Sequence, residues 1–111
     1  MMKVSSEERE LVMKYRAEIT QESVDAFTRR EAFKKSNMKV VPTYGNTYMY
    51  LNNNIIAQMC DKGVVYITNA GWASNTTKAR LNGLSGVSIH QKNFQWYLND
   101  IPWDGEWTRV Q

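Results

Sequence analysis

All six glycines and both prolines of this 111-residue chain lie at or after Pro42. Glycine and proline interrupt regular helix more than any other residues. The chain therefore falls into two textures, a stretch free to run as helix and a stretch that must turn often. Residues 6–36 are rich in Glu, Arg, Lys and Ala, which is helical composition. Ser5 with Glu8 three positions on has capping-box spacing. The series Val12, Ile19, Ala26, Phe33 keeps one face through the segment, as an amphipathic helix does. Thr20-Gln21-Glu22-Ser23 are weak helix formers, and Thr20 is a candidate new N-cap. One long helix and a pair of helices broken near Thr20 both fit, with the interruption favouring two slightly. Ser36-Asn37 is expected to end the region.

Beyond Pro42 the apolar residues come in short runs divided by turn residues. TYMYL (47–51) and IIAQMC (55–60) flank Asn52-Asn53-Asn54, a hairpin signal because asparagine tolerates positive φ. Asp61-Lys62-Gly63 is a second turn, leading into VVYIT (64–68). GVSIHQ (86–91) and FQWYLN (94–99) flank Lys92-Asn93, and WTRV (107–110) reads as a short closing strand. Five or six short strands at roughly ten-residue spacing predict an antiparallel sheet or small open barrel. The expected class is α+β: a helical segment over 1–40, one helix or a helical hairpin, packed on a β-rich part over 41–111 that carries a short helix near 76–83. The two parts are expected to form one compact unit, since a chain of this length buries a core without staples.

The stretch GWASNTTKARLNGL (71–84) has the flavour of a phosphate-binding loop, but a Walker-type loop needs a second glycine followed directly by Lys-Ser/Thr. Here the threonines precede Lys78. The local reading is a turn at Asn69-Ala70-Gly71, an N-cap at Asn75 or Thr76, and two helical turns carrying Lys78 and Arg80. Gly83 is expected in the left-handed position after the helix. The amides at that helix start, with Lys78 and Arg80 close by, keep anion contact open as a weaker reading.

Charge is distributed unevenly. Residues 7–25 carry six acids and three bases, whereas residues 29–39 carry five bases (Arg29, Arg30, Lys34, Lys35, Lys39) and one acid. The net charge is +3. Acids at a helix start and bases at its end suit the macrodipole, so helix-end electrostatics explains the cluster without a ligand. Contact with phosphates or an acidic protein surface is the functional alternative.

Catalytic chemistry finds little support. His90 is the one histidine and alternates with Val87 and Ile89, so it should point outward. Cys60 is the one cysteine, which excludes an internal disulfide and suits a reducing, cytoplasmic setting. Asp100, Asp104 and Glu106 sit in a turn-rich stretch and are expected to face water, with hydrolysis assisted by a divalent ion as the weaker alternative. No zinc spacing, dinucleotide fingerprint or nucleophile elbow occurs, so no catalytic residue, cofactor or metal is expected. No apolar run approaches the ~20 residues of a membrane helix, and MMKVSSEERE lacks the apolar core of a secretion signal.

Ten of the thirteen aromatic residues lie between Tyr44 and Trp107. Phe94, Trp96 and Leu98 should pack against the helical part, sending Tyr97 outward. Tyr48 and Tyr50 share a face opposite Thr47, Met49 and Leu51. If the outward face carries Tyr48, Tyr50 and Tyr97 near Lys92 or Arg80 it has the form of a single-strand stacking platform; otherwise its tyrosines serve as cross-strand pairs. Trp72, Trp103 and Trp107 are candidates for a protein interface, with covering a barrel end the equal alternative for Trp103 and Trp107.

From Tyr44 to Val110 the pieces YGNTYMYLNNNIIA, VYITNAGWASNTTKARLNGL and VSIHQKNFQWYLND-x-x-WDGEW resemble small uncharacterised proteins encoded by tailed bacteriophages. The helical part lies outside that resemblance. No functional residue carries over from it. The resemblance implies an accessory protein that binds and inhibits or redirects a host protein or nucleoprotein machine in the host cytoplasm. Direct nucleic-acid binding through the bases and the tyrosine face is the alternative, and a homo-oligomer is compatible with either.

Overall fold

A computed structural model describes residues 5–111. The first four residues of the stretch read for a secretion signal, and of the 1–40 segment, lie outside it. The chain is α+β. Helix α1 (Ser6–Arg29) leads into strands β1 (Phe33–Lys35) and β2 (Met38–Pro42). Strands β3 (Asn46–Leu51), β4 (Asn54–Cys60) and β5 (Val65–Ile67) follow, then helix α2 (Asn75–Asn82). The chain ends with β6 (Ile89–Lys92), β7 (Gln95–Leu98), β8 (Ile101–Pro102) and β9 (Thr108–Arg109).

The start of α1 forms with Ser5 as its N-cap, one half of the expected box: the Ser5 hydroxyl accepts the Glu8 amide at 3.2 Å. The helix then runs unbroken through Thr20-Gln21-Glu22-Ser23. Ser23 returns its hydroxyl to the Ile19 carbonyl at 2.7 Å, the i−4 back-bond open to a helical serine. Ile19, Ser23, Val24, Ala26 and Phe27 are buried, so packing overrides the weak propensity there. The two-helix alternative is thereby set aside.

The helix ends at Arg29, earlier than composition suggests. Arg30 adopts φ 58°, ψ 43°, and the Glu31 amide reaches back to the Ala26 carbonyl at 2.9 Å, closing the end as a Schellman motif does. Phe33, Lys34 and Lys35 then pair with Val40, Lys39 and Met38. Ser36-Asn37 is thus the turn of a β-hairpin. Phe33 fits a strand as well as a helix, and pairing with β2 decides between them.

Six strands form one antiparallel sheet in the order β1-β2-β3-β4-β5-β9, and β6-β7-β8 form a separate antiparallel sheet. Three two-residue turns have both central residues at positive φ: Asn52-Asn53, Asn93-Phe94 and Asn99-Asp100. This is the turn type whose twist matches paired strands. The second falls one residue later than expected and leaves Phe94 exposed, while Trp96 and Leu98 are buried as anticipated. One face of the large sheet (Met38, Val40, Met49, Leu51, Ala57, Ile67) shares a core with Ile19 and Phe27 of α1, Leu81 of α2, and Trp96 and Leu98 of the small sheet.

Helix α2 begins at Ser74, whose hydroxyl accepts the Thr77 amide at 3.1 Å; this corrects the expected cap at Asn75 or Thr76. Gly83 has φ −74°, so it does not occupy the left-handed position. A β-carbon there would stand 2.6 Å from Thr20 Cγ2 and 3.0 Å from Val24 Cγ2. Close approach of α1 and α2, rather than backbone freedom, is what needs glycine.

Candidate functional site

Period-two alternation assigns the side chains of the large sheet to two faces. With Met38, Val40, Thr47, Met49, Leu51, Met59, Val65 and Ile67 buried, the intervening residues face away from the core. Strand register lines them up. One row across the sheet reads Val41, Tyr48, Gln58, Tyr66, Arg109. The adjacent row reads Lys34, Lys39, Tyr50, Ile55. A β-bulge beside Met49/Tyr50 leaves Ile56 and Ala57 both buried, and the rows continue across it. Each of these nine outward side chains is half-buried or exposed.

The chemistry of this face is narrow. It carries three tyrosines and three bases, and none of its six strands contains an aspartate or glutamate. Lys39 Nζ lies 4.5 Å from the centroid of the Tyr50 ring, a cation–π distance, and the two residues are direct cross-strand partners. The face can therefore offer aromatic surfaces for stacking and cations for phosphate.

Of the residues singled out from sequence, Lys34, Lys39, Tyr48 and Tyr50 come together here. Tyr66 and Arg109 belong with them. Alternation of Tyr66 between Val65 and Ile67 marked it as outward. Arg109 reaches the row through the pairing of β9 with β5, a contact across some forty residues that no local pattern discloses.

The other candidates lie elsewhere. Arg29 is exposed at the end of α1. Arg30 donates from Nη2 to the Cys60 carbonyl at 2.6 Å, tying the helix end to β4. Lys35 lies toward α1, paired with Glu22 at 3.2 Å. Tyr97 is on the small sheet, its ring stacked on His90 at 5.0 Å and 7°, so it does not join Tyr48 and Tyr50. His90 is exposed beside buried Ile89, as its alternation suggested.

Lys78 lies 5.8 Å from the Trp96 ring centroid. Arg80 is 4% exposed and holds neighbouring elements, so it is not available to a surface phosphate. Trp103 is buried as well, its indole N–H shared between the Glu106 carbonyl at 3.0 Å and Thr108 Oγ1 at 2.9 Å. The turn at Asn99-Asp100 reverses the chain into β8, and the Trp103 ring packs 6.2 Å from Trp96, so it presents little surface to a partner. Trp72 and Trp107 remain exposed.

Asp104 accepts the Glu106 amide at 3.0 Å, as a turn residue does. Among the described residues no group of three His, Cys, Asp or Glu side chains is placed to hold a metal ion. No helix among them is long and apolar enough to cross a membrane.

The model of the Kyanoviridae Gp96 protein family matches residues 16–110. The chain belongs to this family of cyanophage proteins. The match takes in every strand of the tyrosine face and the packed part of α1, so the family unit reaches further back than the resemblance over 44–110. The first turns of α1 precede it. No curated protein and no solved structure matches the chain.

Proposed function

We propose that this Kyanoviridae Gp96 protein is a non-enzymatic phage accessory protein, and that its outer sheet face binds single-stranded nucleic acid, free or within a host nucleoprotein machine. The observation that carries the reading is the composition of the two outward rows: Tyr48, Tyr50 and Tyr66 interleaved with Lys34, Lys39 and Arg109, without an acid. A folded chain with a net charge of only +3 has no general electrostatic need for an acid-free face. Three partly exposed rings on one sheet face are also more than cross-strand pairing requires. Stacking on tyrosine is indifferent to sequence, and phosphate contacts by the bases make binding fall with salt.

The test is fluorescence anisotropy of labelled single-stranded RNA, single-stranded DNA and duplex at low and moderate salt. Single strands should bind more tightly than duplex, with affinity falling as salt rises. A Lys34→Ala/Lys39→Ala/Arg109→Ala variant should lose most of the salt dependence. Absence of binding at low salt overturns the reading.

A second reading, contact with a host protein, is favoured by the exposure of Trp72 (64%), Phe94 (97%) and Ile101 (67%), all outside the sheet face. Large apolar side chains of this kind anchor protein interfaces. It predicts capture of a defined host protein that is insensitive to moderate salt and lost in Trp72→Ala/Phe94→Ala.

A further inference from the structure

Every residue of α1 up to Glu18 is exposed, including Leu11, Val12, Met13 and Tyr15. Helices in proteins owe most of their stability to packing of an apolar face, and among the described residues this half of α1 has no such packing. It is also a continuation of a packed stripe. Ile19 and Ala26 share a face with Val12 and are buried in the core, so the stripe runs off the edge of the sheet and continues uncovered.

Beside it lies an open groove of about 920 Å³ between α1, α2 and the Ser36-Asn37 turn, lined by Leu11, Tyr15, Arg16, Asn75 and Ala79 among others. Arg80 also lines this groove. Its guanidinium donates to neutral oxygens only, the Arg16 carbonyl at 2.8 Å, Thr20 Oγ1 at 2.6 Å and Asn37 Oδ1 at 3.3 Å. Its Nε has no hydrogen-bond partner among the described residues. Among the described residues the one ion pair is Lys35–Glu22, so neither Arg16 nor Arg80 has a carboxylate within ion-pair distance.

The groove is positive and unpaired. The first turns of α1 carry Glu7, Glu8 and Glu10 against Arg9. Glu8 and Arg16 lie eight residues apart on one straight helix, roughly 12 Å along its axis, so one chain cannot bring them together. A second copy can.

We propose that two copies of this chain pair through the exposed half of α1, antiparallel about a two-fold axis near Val12. Each arm lies in the α1–α2 groove of the other. The axis brings Glu8 of one copy to Arg16 of its partner, twice by symmetry. It also sets the Leu11, Val12 and Tyr15 stripes against one another. Reciprocal seating engages both arms and both grooves, so the contact is larger than one helix pair alone, in the direction of the roughly 1,000 Å² that a specific interface needs.

Sedimentation equilibrium of the full chain, from low micromolar to about 0.1 mM, should show a monomer–dimer equilibrium with micromolar dissociation. Val12→Glu sets two like charges on the axis and should leave a monomer with unchanged helical circular dichroism. Glu8→Arg alone and Arg16→Glu alone should each weaken the dimer about tenfold or more. The Glu8→Arg/Arg16→Glu double variant should return toward the wild-type constant, a recovery that a merely misfolded variant would not show. A monomer throughout the range overturns the proposal. So does a dimer indifferent to Val12→Glu, or one whose charge swap brings no recovery.

Discussion

Arg80 Nη1 donates to the carbonyl oxygen of Arg16 at 2.8 Å, joining two helices that are sixty-four residues apart in the chain. The Arg16 carbonyl belongs to the interior of a helix and retains its own intrahelical partner, so it does not depend on this bond. Arg80 itself has its pKa held below the ordinary arginine value, first by burial and then by the positive charge of Arg16. The side chain thus contributes packing and bridging at the cost of a disfavoured charge.

Truncation and neutralisation of Arg80 should therefore differ. Arg80→Ala removes the bridges and leaves a void, and should lower unfolding free energy by roughly 2–4 kcal/mol. Arg80→Met keeps the volume without the buried charge and should cost less than about 1.5 kcal/mol. Urea denaturation at neutral pH distinguishes them. A folded-state value below the unfolded one means that the unfolded chain holds the proton more firmly, so this group makes stability rise with pH through the depressed value. The window is strongly alkaline. Across the neutral range the difference between wild type and Arg80→Met should not change with pH.

Gly83 gives a second prediction whose sign is not obvious from propensity. At φ −74° an alanine is conformationally acceptable and would gain up to ~1 kcal/mol in a helical setting. Its β-carbon, however, would overlap Thr20 Cγ2. Gly83→Ala should destabilise by about 1–2 kcal/mol. Thr20→Ser removes the obstructing methyl and keeps the hydroxyl that accepts from Arg80. The Gly83→Ala/Thr20→Ser chain should recover most of the loss in thermal unfolding, where simple additivity would predict none.

These two positions also mark where sequence was a good guide and where it was not. The Ser5 N-cap and the asparagine hairpin at 52–53 are satisfied within a few residues, and both were readable. The alternation of TYMYL identified one face of β3, and the cross-strand partners follow from the hairpin. Phe33-Lys34-Lys35 was not readable as strand, because its lysines and seven-residue spacing continue the helical pattern. Only pairing with β2 separates the two. Gly83 was read for its backbone freedom because the contact that requires it comes from α1, some sixty residues away. Arg109 was missed in the same way. Tyr66 was reachable by alternation, but nothing local placed it in one row with Tyr48.

Trp103, a candidate for an interface or for covering a barrel end, is buried, and its substitution tests that packing. Its indole N–H serves both the Glu106 carbonyl and Thr108 Oγ1, which anchors the start of β9 beside the small sheet. Trp103→Phe retains an aromatic ring against Trp96 but leaves these two acceptors without that donor. The expected loss is roughly 1–3 kcal/mol. Because β9 delivers Arg109 to the outer face, the weaker pairing should also appear as faster amide exchange at Arg109 and Tyr66, measured by hydrogen exchange under native conditions.

Gln58 lies between Tyr48 and Tyr66 in the outward row and is the neutral centre of an acid-free face. Gln58→Glu changes one atom type and adds one negative charge without altering the side chain's size. On a half-exposed strand position the effect on folding should stay within about 0.5 kcal/mol. Its effect on a bound strand should be far larger, since a carboxylate among stacked bases repels nearby phosphates through a surface with no other acid. Single-stranded binding at low salt should weaken about tenfold or more, and the deficit should shrink as salt screens the added charge. Parallel measurement of thermal midpoint and anisotropy separates the two effects. A binding loss matched by a fall in midpoint would assign Gln58 to structure, and an unchanged affinity would remove the sheet face from the contact surface.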